Sequence, residues 1–135
     1  MNINLFLSGH CVAQIRLIIR IVPPKGRGPA PGTEGFFAYA QHFDIVPQLN
    51  PSFSARYGPY PDPVTSMYLL KRSTRTDGSR MGDIISLGQL RCAIELTPSF
   101  GKQADRRLTK ESSLEYSNEF WLDGYFDKET FFALH

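Results

Sequence analysis

The side chains in this sequence that could bind a soft metal are His10, His42, His135, Cys11 and Cys92. They stand singly, without the paired spacing of a zinc site, so the sequence predicts no metal centre. His42 lies in an alternating aromatic run and reads as a packed or surface imidazole, while Cys11 and Cys92 read as small apolar fillers. A nucleophilic enzyme needs Ser or Cys beside a base with a third group to orient it, and no Gly-x-Ser-x-Gly elbow is present. The carboxylate pairs Asp123 with Asp127 and Glu115 with Glu119 could hold a divalent ion, which would make a small metal-assisted hydrolase. Their places beside a hairpin and helix ends assign them instead to turns and caps. Gly26, Gly28, Gly32 and Gly35 fall in a Pro-rich loop and match no phosphate-binding fingerprint. The expectation is a chain with no catalytic residue and no cofactor.

Binding chemistry has more to work with. Between Val46 and Val64 the chain carries Pro at 47, 51, 59, 61 and 63, together with Phe53, Arg56, Tyr57 and Tyr60. Rings beside a guanidinium can stack on bases or cage a cationic side chain, and a connection this long is uncommon unless it binds something. The competing expectation is that the rings fold back over the body of the protein. Charge offers a second surface. Through Lys110 there are 14 Lys and Arg against 7 Asp and Glu, whereas from Glu111 onward one base faces six acids. Arg16, Arg20, Lys25, Arg27, Arg106 and Arg107 are therefore candidates for phosphate contact, and the acidic tail could equally cover them.

The elements that must position these residues read as β. Gly82 to Gly101 holds an apolar run at Ile84 and Ile85, one tight turn at Leu87 to Leu90, and a period-2 alternation through Cys92, Ile94 and Leu96, ended by Pro98. That is the corner of a strongly bent barrel. The longest strand is expected from Cys11 to Val22, with Ala13, Ile15, Leu17, Ile19 and Ile21 on one face, and Pro23-Pro24 stops it. A second strand, Phe36 to Ile45, sets Phe37, Tyr39, Gln41 and Phe43 against Phe36, Ala38, Ala40 and His42. Met67 to Arg72 is a third, and Asp77-Gly78 signals a tight hairpin into the central unit. Ser112 with Glu115 has the form of a capping box for one or two helical turns from Ser113. Glu119 to Phe126 reads as a last hairpin, and Asp127 can cap a final helix.

Length and composition agree. A chain of 135 residues with 11 Gly and 10 Pro is one domain rich in turns, with no run of 18 apolar residues to cross a membrane. Two cysteines without a pairing motif point to a reducing, intracellular setting. The expected fold is mainly β, a small, strongly bent antiparallel β-barrel with one or two short C-terminal helices. Residues 1–10 are expected to be a loosely ordered leader, and 11–135 a single domain with long loops at 23–35 and 46–64.

Two resemblances follow from these pieces. The aromatic strand Phe37 to Phe43, the long insertion, Asp83 to Ile94, and the late Phe120-Trp121 with Tyr125-Phe126-Asp127 together resemble a bromo-adjacent homology module. That likeness implies a β-barrel that binds other proteins in chromatin without catalysis. The wording of residues 36–135 also resembles the C-terminal region of fungal, chiefly basidiomycete, transposon-encoded proteins of the Kyakuja-Dileera-Zisupton and plavaka kind. The matching stretches are Tyr39-Ala-Gln-His-Phe43, Gly82-Asp-Ile-Ile-Ser-Leu87, Ile94-Glu-Leu-Thr-Pro-Ser-Phe-Gly101, Ser113-Leu-Glu-Tyr116 and Phe120-Trp-Leu122. Ser86 stands where that family commonly has Pro, and its acidic transposase core lies in a separate upstream part, so no catalytic residue is implied here. The expected function is a non-enzymatic module of a transposon-derived nuclear protein that binds a chromatin protein. A nucleic-acid-binding appendage using the basic body is the alternative.

Overall fold

The computed structural model describes residues 10–50, 56–101 and 106–124, with Asn50 and Arg56 described by their backbone alone. Eight strands are seen among these: β1 (Ala13–Arg20), β2 (Phe36–Ile45), β3 (Gln48–Asn50), β4 (Arg56–Gly58), β5 (Tyr68–Arg72), β6 (Gly82–Ser86), β7 (Leu96–Pro98) and β8 (Glu119–Leu122). One 3-10 turn, Leu87–Gln89, and one four-residue helix, α1 (Ser113–Tyr116), complete them. All ladders are antiparallel. The mainly β, strongly bent antiparallel fold expected from the alternation is what forms, as a half-barrel.

β2 organises the curl. One of its edges carries β1, while its other edge is shared end to end by β6, from Phe37 to Gln41, and β5, from Phe43 to Ile45. The arms of one hairpin thus part company at His42, whose N–H donates to the Met81 carbonyl and whose carbonyl accepts from the Ser73 N–H. Asp77-Gly78 closes that hairpin as its sequence predicts. Gly78 has φ 84°, and the Asp77 carboxylate accepts from the N–H and hydroxyl of Ser79. β6 approaches β2 so closely that a Cβ on Gly82 would stand 2.7 Å from the Ala40 carbonyl oxygen.

The main sheet continues from β5 to β8 and β7, in the order β1-β2-β5-β8-β7. Its core is Val12, Phe43, Leu70, Phe120 and Leu122, with Phe43 and Phe120 meeting edge to face at 5.6 Å. Each such side chain contributes about 1.5–3 kcal/mol through burial. The inward parity of β5, Tyr68, Leu70 and Arg72, places a cation at the end of this apolar row.

Several expectations need correction. β1 is shorter than residues 11–22 and is irregular between Ile15 and Leu17, so the predicted apolar face is broken and Leu17 and Ile18 are both exposed. The strand expected through Cys92 to Leu96 is not one: residues 91–95 join no ladder, and β7 starts at Leu96. Pro98 is the last residue of β7, as expected, and an outermost strand tolerates it there because no neighbour needs its missing N–H. The connection 46–64 is not bare loop, since β3 and β4 pair within it. Ser112 makes no side-chain cap; the capping box that forms is Ser86 with Gln89, around the 3-10 turn. The partner of β8 in the last hairpin, the helix after Asp127, His135 and most of the leader lie outside the described residues.

Candidate binding cleft

Because β1 and β7 are the outermost strands of an incompletely closed sheet, a seam opens between them. It is a cleft of about 890 Å³. One bank is the approach to β1 and its first half, His10 to Ile15, and the other runs from Gln89 through the unladdered residues 91–95 to Leu96 at the start of β7. His42, Phe43 and Ile85 lie between the banks, and the walls are mainly apolar. No ladder partner occupies the outer edge of β1 among the described residues, so its backbone N–H and C=O groups are available beside this cavity.

His10, Cys11, His42 and Cys92, scattered in the sequence, all border this one cleft. Among the described residues no group of three or more His, Cys, Asp or Glu converges closely enough to hold a metal. Cys11 is exposed and not a buried filler; Cys92 is half-buried. The His42 imidazole Nε2 lies 2.9 Å from an Asp83 carboxylate oxygen that is open to solvent.

A polar cluster adjoins the cleft at Gln14, Phe43 and Leu114. The Arg72 guanidinium packs over the rings of Phe43 and Phe120, at 5.1 and 5.6 Å from their centroids, and donates from Nη1 to Gln14 Oε1 at 2.9 Å. Its Nε and Nη2 are shut off from solvent without an acceptor. Burial, and then the charge of Arg80, push its pKa down to about 10. Glu115, the residue after Leu114, accepts from Arg16 Nη1 and Arg80 Nη1, and its carbonyl accepts from Arg80 Nη2. The hydrogen bond from Arg16 is the main reason that its carboxyl sits below its ordinary value of 4.5. A carboxyl lowered on folding stabilises the fold fully above its unfolded pKa, and that contribution is lost as pH falls through the lower folded value. Acid titration of the folded protein should therefore show a loss of stability beginning below about pH 4.5, and Glu115→Gln should remove part of that slope. A variant whose acid limb overlays the wild type would disprove the coupling.

Sequence reasoning missed Arg72, Arg80, Gln14 and Glu115 as a group. The one signal available was Arg72 at an inward-facing strand position.

Of the aromatic-loop candidates that are described, Tyr57 and Tyr60 are not brought to the cleft, whose lining includes neither. Tyr57, on β4, is 74% exposed; Tyr60 lies against Gly58, where a Cβ would meet its ring at 2.6 Å. Phe53 and the Arg56 side chain lie outside the described residues. Of the cationic candidates, Arg16 is engaged with Glu115, and Arg20 lies 5.9 Å over the Phe36 ring. Lys25, Arg27, Arg106 and Arg107 are exposed on turns and loops. No helix among the described residues is long and apolar enough to cross a membrane.

Residues 4–61 match a domain of unknown function, DUF6830. The DUF6830 match takes in β1 and β2, the β3-β4 ribbon and Tyr60, and so one bank of the cleft with His42 and Phe43. The facing bank, α1 and Arg72 lie beyond it. No curated protein and no solved structure matches the chain.

Proposed function

We propose that this domain is a non-enzymatic interaction module that holds an extended segment of a protein partner in the seam between β1 and residues 89–96. The observation that carries the reading is the seam itself, a mainly apolar cleft running beside a strand edge with no ladder partner among the described residues. An added strand gains affinity from main-chain hydrogen bonds and specificity from side-chain pockets, and this cleft supplies both. The exposed ring of Tyr57 is a second contact point on the β3-β4 ribbon. The transposon-encoded, fungal origin rests on the resemblance of residues 36–135, and the chromatin partner and nuclear location rest on the likeness to a bromo-adjacent homology module. The basic side chains exposed on turns support nucleic-acid contact as a second reading.

Leu90 is an exposed cleft residue, so Leu90→Asp changes the cleft at little cost to folding. Capture from nuclear extract should recover a protein that survives nuclease treatment, retains Tyr57→Ala/Tyr60→Ala in part, and is lost at least about tenfold with Leu90→Asp, the scale of one interface anchor. Equal recovery by wild type and Leu90→Asp would remove the cleft from the account. Nuclease-sensitive capture, with DNA affinity falling steeply in salt, would transfer the function to the basic surface.

A further inference from the structure

We propose that Arg16, Arg72 and Arg80 form an oxyanion site which Glu115 occupies as an internal stand-in, and which receives a carboxylate or phosphate carried by the partner polypeptide in the adjoining cleft. The inference rests on the peptide-binding reading of that cleft and adds the chemistry of what enters it.

Charge count is the first reason. The guanidinium groups of Arg16 and Arg80 share one carboxylate, and the charge of Arg72, which is hydrogen-bonded to Gln14, interacts with all three. Two positive charges are thus left uncompensated in a partly buried setting. Unmatched donors are the second. Nε and Nη2 of Arg72 are buried without an acceptor, a state proteins rarely leave unanswered, and a guanidinium fork suits a planar or tetrahedral oxyanion. The third reason is access. The side chains of Arg16, Arg80 and Glu115 are 36, 29 and 40% exposed, so an incoming anion can reach the groups that Glu115 now holds. Glu115 sits on a four-residue helical turn without a side-chain cap, so its place is held chiefly by the two arginines for which an incoming anion would compete. Finally, the cluster is continuous with the cleft. Gln14, Phe43 and Leu114 line the cavity, and they are respectively the acceptor for Arg72, the ring beneath it and the residue preceding Glu115.

The test titrates the full chain with inorganic phosphate and with succinate at fixed ionic strength, read by NMR and by thermal unfolding. Glu115→Gln should bind the preferred anion at least about tenfold tighter than wild type, because the competitor is gone and one negative charge is removed. Arg80→Gln or Arg16→Gln in that background should abolish the gain. Preference for succinate assigns the partner group as an acidic side chain; preference for phosphate assigns a phosphorylated one. Equal affinity in wild type and Glu115→Gln, or binding that survives loss of both Arg16 and Arg80, overturns the proposal. Leu90→Asp should leave anion binding intact, so failure of the oxyanion site and failure of the cleft are distinguishable.

Discussion

Phe120→Ala is expected to lower stability by about 3–5 kcal/mol, the usual range for removing a large aromatic from a close-packed interior. The ring is fully buried, makes the edge-to-face pair with Phe43, and forms half of the slot that holds the Arg72 guanidinium. Truncation therefore removes transfer energy, opens a void, and leaves a buried cation with one ring instead of two. Phe120→Leu keeps most of the volume and should cost only about 1.5 kcal/mol. Urea unfolding with an unchanged slope would check both values. A loss below about 1 kcal/mol for Phe120→Ala would mean that the β5-β8 layer is not the core.

Ala38→Asp should have a comparable or larger effect. Ala38 has no exposed surface, lies in the strand that is paired along both edges, and offers a carboxylate neither water nor a cation. An unpaired buried charge costs several kcal/mol, enough to unfold a domain whose total stability is about 5–15 kcal/mol. Phe36→Asp is the control. It lies on the same side of β2 by alternation but is 53% exposed at the strand's start, and the folded state should tolerate it. Circular dichroism and solubility of the two variants decide the matter. A well-folded Ala38→Asp protein would show that this face of β2 is open.

These predictions rest on features that were unequally legible in the sequence. β2, β5, β6, the 3-10 turn and the Asp77-Gly78 hairpin follow from alternation and turn chemistry, which are local properties. The alternation of Cys92, Ile94 and Leu96 misled because a strand needs a partner, and residues 91–95 have none in the described sheet. Glu115 carried a capping signal of local form, yet its carboxylate is taken by Arg16, 99 residues away, and by Arg80. Long-range charge pairing of that kind competes with a cap worth about 1 kcal/mol, and no window of sequence displays it. The cleft was illegible for a similar reason, since its two banks come together only when the sheet stops short of closing. The strand Met67 to Arg72 was legible, but its inward face and the two Arg72 donors without acceptors depend on the packing of Phe43 and Phe120 around it.

The sharing of β2 by β1, β5 and β6 has a kinetic side. The β1-β2, β3-β4 and β7-β8 pairings can form between neighbours, but the sheet closes only when the central strand recruits both arms of a later hairpin and β5 meets β8. Chains dominated by such distant pairings pass through their rate-limiting ensemble in milliseconds to seconds, about a thousandfold slower than small helical bundles. During that interval the unpaired strand borders are accessible to other chains, which places this protein among those whose biogenesis is most sensitive to concentration and to chaperone supply.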